Sequence, residues 1–197
     1  MAGFLVLLRE HFEVVRASTS SLISRVYIRS TVSRTRTKIR SNSWTRERDI
    51  YDHRSVHALL VHRHSEAVAG TVRVILPGTD REPPLPINLV ADSDQRELLR
   101  RLPHSRTAEI SRFAVSKMFR QRCGEEDRRM LRYIAVGLIR GALESCRDNE
   151  IQYGCAVMER SLIRFLGRLG FSLSTLPGWL SITVQGSPVL RRSIRSR

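Results

Sequence analysis

The sequence predicts an α+β fold built on a mixed, mostly antiparallel sheet with one βαβ crossover. Three observations predict it. Two strand-like runs, Ser55–His62 and Ala67–Leu76, are joined only by the polar stretch HRHSEA, as a hairpin requires. A long pattern of helical spacing, Glu126–Glu150, lies between two further strand-like runs. No strand–helix alternation repeats along the chain, as a doubly wound parallel sheet would demand.

The elements follow in order. FEVVRAS (Phe12–Ser18) reads as a short strand that enters a helix at Ser20–Ile23. The segment from Ile28 to Asp49 alternates Arg with Ser and Thr and offers almost no apolar positions, the composition of a basic disordered stretch. After the hairpin, PGTDREPPLPIN breaks regular structure, because proline lacks an N–H and fixes φ. AEISRFAV (Ala108–Val115) is the third strand of the main sheet. In the long helix Ile134, Leu138 and Leu143 are expected to face the sheet, with arginines on the other side. IQYGCAVM is a strand, ERSLIRFLGRLG a helix stopped by Gly170, and FSLSTL the entry to a last strand.

Composition bounds the function. A chain of 197 residues holds one domain with a full core. Its 34 Lys+Arg against 19 Asp+Glu give a net charge of +15, which points to an anionic partner. Arginine supplies nearly all of it, since lysine occurs only at Lys38 and Lys117. Cys123, Cys146 and Cys155 share no metal-ligand spacing and fit a reducing cytoplasm without a disulfide framework. The apolar run near the N-terminus is broken at Arg9, too early for a signal core or a membrane span, so a soluble cytoplasmic protein is expected.

Four features are candidates for chemistry, and each has a plainer role beside it. Asp49 and Asp52 of DIYD form a carboxylate pair, or serve as turn and cap residues. Gly70 and Arg73 of GTVR present a cation from a strand, or belong to a solvated strand face. Glu109 and Arg112 stand three apart on a strand, on opposite faces unless a bulge intervenes; a surface ion pair is the alternative. Lys117, Arg120 and Arg122, followed by Gly124, precede the long helix and offer charge and N–H groups to a phosphate, or form a solvated face. His53, His57, His62 and His64 do not make a zinc site: His57 and His62 point to opposite faces of one strand and no cysteine is near. No metal is expected.

Taken in order, RDIYDHRSVHALLVHR, AVAGTVRVILPG, PLPI, AEISRFAVSKMFRQR and MERSLIRFLGRLGF resemble the acyltransferases associated with PEP-CTERM/exosortase systems. Those are relatives of acyl-homoserine-lactone synthases and N-acyl amino acid synthases in the GNAT superfamily. The resemblance covers about residues 46–176. It implies a GNAT-like fold, a mixed and mostly antiparallel sheet flanked by helices, over residues 46–186. A poorly packed basic segment, 1–45, would precede it and a basic tail, 187–197, follow it. The implied activity is transfer of a fatty acyl group from acyl carrier protein or coenzyme A to an amine acceptor such as an amino acid. The thioester is a co-substrate, and no cofactor is bound permanently. By the family pattern Asp49, Asp52, Arg73, Glu109 and Arg112 form a polar cluster beside the acyl cleft. Glu109 is base or base-positioner, and Phe113, Val115, Arg120 and Arg122 meet the acyl donor. Glu109, flanked by Ile110, Phe113 and Val115, is expected beside Arg73 or Arg112, since an unpaired carboxylate there would take up a proton.

Two stretches depart from the family. Its text resembling RYQVYCVEN before ERDIYD, and EYHG-x-R-x-P near its end, are replaced here by Ile28–Trp44 and by WLSITVQGSPVLRRSIRSR. With free choice of synonymous codons, one shifted frame reads Tyr27–Thr37 as YQVYCVENED, and the same shift turns Trp179–Arg195 into a text beginning AEYHG. Frame errors at both ends are therefore expected, with weak or no activity if the frames are as written. A non-catalytic basic protein that binds nucleic acid, a membrane surface or a carrier protein is the alternative. Aromatics at 6% give a nucleic-acid binder few stacking platforms.

Overall fold

The computed structural model describes residues 8–17, 49–122, 125–158, 160–168, 173–175 and 181–185. The chain divides into two compact units, Met1–Arg73 with Arg112–Ser145, and Val74–Ser111 with Cys146–Arg197.

In the first unit a helical turn at residues 8–11 enters β1 (Phe12–Ala17). That strand pairs antiparallel with β2 (Ser55–His62), from Phe12↔His62 to Ala17↔His57. Leu8 and Phe12 are buried, so this part of the segment expected to be poorly packed, 1–45, belongs to the sheet. The expected helix at Ser20–Ile23 and the stretch Ile28–Trp44 lie outside the described residues. A tight turn with Glu66 in the left-handed region (φ 52°) leads to β3 (Val68–Ile75), and the His62 N–H donates to the Ala67 carbonyl at 2.9 Å. The part of β4 (Thr107–Val115) that belongs to this unit comes next in the order β1-β2-β3-β4.

The short helix α3 (Lys117–Arg122) follows, its first turn held by the Ser116 Oγ, which accepts the Phe119 N–H at 3.2 Å. The basic run that precedes the long helix is thus helical itself. Its inward residue is the apolar Phe119, which meets Phe12 and His62 edge-on at centroid distances of 6.0 and 5.3 Å.

The long helix α4 (Glu125–Asp148) lies on β2 and β3, and small residues set how close it comes. A Cβ at Gly137 would stand 2.7 Å from Leu60 Cδ1, and one at Gly141 would stand 2.9 Å from the Ala58 Cβ. Ile134 and Leu138 are fully buried, each stabilising the fold by about 1.5–3 kcal/mol. Leu143, expected inward, is only half-buried. Five residues at 100° each carry it about 140° past the Leu138 face. Ala142 and Ser145 take the inward positions.

In the second unit the strand order is β4-β5-β7-β6. β5 (Tyr153–Val157) pairs parallel with β4, giving the expected βαβ crossover through α4. β7 (Ser181–Gln185) pairs antiparallel with β5 and with β6 (Leu173–Thr175). The connection read as one long loop contains two helices. α1 (Ile87–Val90) places Ile87 in the core. α2 (Ser93–Arg100) begins with a capping box in which Asp92 Oδ1 accepts the Gln95 N–H at 2.8 Å and Gln95 Oε1 accepts the Asp92 N–H at 3.1 Å. That Asp-x-x-Gln spacing was the sequence signal for α2. The last helix, α5 (Arg160–Arg168), buries Leu166.

The approach of α4 to β3 gives a first prediction. A Cβ on Gly70 would stand 2.8 Å from the Ala114 carbonyl oxygen and 2.8 Å from Leu138 Cδ1. The carbonyl belongs to a strand and cannot swing away. Gly70→Ala should therefore lower stability by about 1–3 kcal/mol in urea unfolding. An unchanged midpoint would show that β3 and β4 can separate there.

Candidate active site

The first unit gathers four charged groups from three elements. Residues 49–52 form a turn closed by the Asp52 N–H donating to the Asp49 carbonyl at 3.2 Å. The turn places both carboxylates on one side, because the Asp49 N–H also donates to Asp52 Oδ2 at 3.2 Å and the Tyr51 N–H to Asp49 Oδ1 at 3.0 Å. Arg73 on β3 supplies the cation. Its Nη1 donates to Asp49 Oδ2 at 2.7 Å and to Asp52 Oδ1 at 2.9 Å. Arg112 on β4 donates from Nη2 to the same Asp49 oxygen at 3.1 Å, and its Nη1 lies 3.7 Å from Asp52 Oδ1.

Burial grades the cluster from inside to outside. The Arg73 side chain is 5% exposed and Asp52 13%, whereas Asp49 keeps 34%. An arginine this deep has to be paired, since an isolated buried charge costs many kcal/mol. Burial pushes the Asp49 carboxyl upward, but the Arg73 hydrogen bond, the Tyr51 N–H and the charges of Arg73 and Arg112 outweigh it, and the net direction is down.

Arg112 has a left-handed backbone, φ 49°, inside a strand. A non-glycine residue pays about 1–2 kcal/mol for that conformation. The turn interrupts the strict alternation of β4, the condition under which Glu109 and Arg112 need not obey the opposite-face rule.

The structure also adds His57 to this cluster, a residue considered from sequence only as a metal ligand. It sits on β2, 8% exposed, with Nε2 4.0 Å from Asp52 Oδ1. The signal was present in the strand period, since Ser55, His57 and Leu59 share one face and all are buried. Burial pushes the imidazole below its usual value near 6.5, and the charges of Arg73 and Arg112 act the same way against the opposing pull of Asp52 and Asp49.

Glu109 lies in the second unit. It is 6% exposed, and its Oε2 accepts the Ile87 N–H at 2.7 Å. It is level with Cys155 on β5, where the parallel ladder Thr107↔Tyr153, Ala108↔Gly154, Glu109↔Cys155 ends although β4 runs on. Burial and the Glu109 charge raise the Cys155 thiol, whose Sγ lies 3.3 Å from the Ala108 carbonyl, and burial pushes Cys146 up to about 12. Both stay protonated and are poor nucleophiles.

Of the residues expected to meet the donor, Phe113 and Val115 are half-buried on β4 and Arg120 is exposed on α3; the Arg122 side chain lies outside the described residues. Among the described residues no group of three or more His, Cys, Asp or Glu is placed to hold a metal ion, and no helix is long and apolar enough to cross a membrane.

The acetyltransferase (GNAT) domain profile matches residues 25–126, just over half of the 197. The chain belongs to the GNAT acetyltransferase family. It is a GNAT-type acyltransferase. No curated protein matches it. Solved structures share its fold. BjaI, a CoA-dependent acyl-homoserine lactone synthase solved with SAM and isopentyl-CoA, is 20% identical with a TM-score of 0.56, covering 93% of this chain and 89% of its own. The acyl-homoserine-lactone synthase LasI is 18% identical with a TM-score of 0.53, covering 88% of each chain. FeeM, an N-acyl amino acid synthase from uncultured soil microbes, is 14% identical with a TM-score of 0.52, covering 88% of this chain and 90% of its own.

The two shifted groups make the acyltransferase sensitive to acid. A lowered Asp49 contributes stability that is present above its ordinary value of 3.8 and lost as pH falls through the folded value. A lowered His57 makes the unfolded chain bind the proton first, so stability also falls as pH drops below 6.5. The melting temperature should decline in two steps, one below pH 6.5 and one below 3.8. His57→Gln should remove the upper step and leave the lower one.

Proposed function

We propose that this GNAT-type acyltransferase moves a fatty acyl group from a phosphopantetheine thioester to the amine of a small acceptor such as an amino acid. The donor is acyl carrier protein or acyl-CoA, used as a co-substrate in the cytoplasm of a cell with a PEP-CTERM/exosortase system. The observation that carries this reading is the buried carboxylate of Glu109 at the point where the β4–β5 ladder ends. Where two parallel strands stop pairing, backbone N–H groups become available to a thioester carbonyl and to the oxyanion it forms. A carboxylate there serves the other need of the reaction as a base-positioner, holding the amine in place while it loses a proton. The ligands named with BjaI and the activity named for FeeM support the thioester donor and the amine acceptor.

In this reading Asp49, Asp52, Arg73 and Arg112 hold the geometry of the amine side. Phe113 and Val115 line the acyl path, and Arg120 and Arg122 meet the anionic donor. Lysates of cells overexpressing the protein should contain N-acylated amines detectable by mass spectrometry of lipid extracts. Glu109→Gln should reduce thiol release from acyl-CoA by about 100-fold or more. The glutamine carbonyl can still accept the Ile87 N–H, so the melting temperature should hold. A variant that keeps full activity would leave Glu109 a structural residue.

The same reading includes frame errors at both ends of the chain, over residues 28–44 and 179–197. Sequencing the DNA decides it. Codons compatible with YQVYCVENED and AEYHG in one shifted frame are the expected result, and codons that cannot spell those peptides would dispose of the idea.

A further inference from the structure

The amine of the proposed reaction has to lose a proton, and the carboxylates of the first unit are poorly suited to keep it. Asp49 Oδ2 already accepts from two guanidinium groups, at 2.7 and 3.1 Å, and Asp52 accepts from Arg73 at 2.9 Å. The lone pairs of these carboxylates are thus already engaged, and, against the upward push of burial, the Asp49 carboxyl is held below its ordinary value by Arg73, the Tyr51 N–H and Arg112. One group in the cluster has a nitrogen with its lone pair unengaged. Among the described residues the buried His57 Nε2 has no hydrogen-bond partner, a rare condition for a buried polar atom. It faces Asp52 Oδ1 at 4.0 Å, so closing the gap by about 1 Å makes a hydrogen bond.

We propose that His57 is the proton-holding and positioning residue of the acyl transfer, taking up through Asp52 the proton that the acceptor amine must lose. The inference rests on the proposed function. The groups that face the imidazole are Asp52 and Asp49 from the turn, Arg73 from β3 and Arg112 from β4, and the residue level with it on β1 is the uncharged Ala17. Burial and the two arginines keep the ring neutral at neutral pH, with a nitrogen lone pair to offer, while Asp52 steadies the imidazolium once it forms.

The step balances. The ammonium nitrogen gives one proton to Asp52, which passes it to Nε2. The freed lone pair forms the C–N bond to the thioester carbonyl carbon. The tetrahedral oxyanion then collapses and the C–S bond breaks, its electron pair leaving with sulfur. The thiolate takes the second proton from nitrogen, giving amide and free thiol, and the imidazolium returns its proton to water.

The test uses the full-length protein with decanoyl-CoA and an amino-acid mixture, following thiol release against pH. In the wild type kcat/KM should level off once the imidazole is neutral. In His57→Gln it should be about 100-fold lower at pH 7 and climb tenfold per pH unit toward the amine's own pKa, because only amine already deprotonated in solution can react. A folded His57→Gln protein with the wild-type rate and profile overturns the proposal while leaving the acyltransferase reading intact. A wild type that releases no thiol overturns that reading and the transfer step with it. If His57→Gln does not fold, NMR titration of the His57 ring decides. Asp52→Asn should lower its pKa further, and an unmoved titration shows that the two groups do not share a proton and overturns the proposal.

Discussion

The first unit depends on one guanidinium. Arg73 enters from a strand whose other residues are almost all buried apolar groups, and two carboxylates meet it there at 2.7 and 2.9 Å. Those carboxylates exist as a pair because residues 49–52 close a turn that aims both the same way. Arg112 then finds a place already set for a second cation, at the cost of a left-handed backbone in mid-strand. The turn before β2, the interior of β3 and the irregular half of β4 are therefore held together by one network of charge-assisted hydrogen bonds. Such a network fixes geometry more than it adds net stability, since desolvation offsets much of its attraction.

Close packing supplies the rigid backing for that network. Gly70, Gly137 and Gly141 let α4 lie directly against β2 and β3, where any side chain would meet Leu138, Leu60 or Ala58 within 3 Å. A strand held this closely has little freedom to move its arginine. The aromatic contacts of Phe12, His62 and Phe119 tie the N-terminal strand to the same face.

In the second unit polar burial takes another form. Glu109 is covered and receives a backbone N–H from the first residue of α1, while its neighbour across the ladder, Cys155, is driven further toward the thiol by that negative charge. The protonated thiol is a poor nucleophile.

What could be read in the sequence was whatever depends on period and local chemistry. The hairpin Ser55–His62 with Val68–Ile75, the strand through Glu109, the long helix and the parallel crossover follow from alternation, helical spacing and the polar turn between strands. The cluster of Asp49, Asp52, Arg73 and Arg112 came only from the family resemblance. Period and local chemistry left the aspartates open to a role as turn residues and Arg73 to one on a solvated face, and the hydrogen bonds that join them appear only in the structure. The capped helix α2 was legible too, in its Asp-x-x-Gln box, but was masked by the prolines before it. Tertiary structure alone decided the rest. The conformation of Arg112 is imposed by its partners, since no local preference puts arginine in the left-handed region. The place of His57 beside Asp52 depends on how a strand lies against a turn, and the burial that keeps its ring neutral comes from residues distant in the chain. Sequence period determines which face a side chain takes; only packing determines what that face meets and how dry it is.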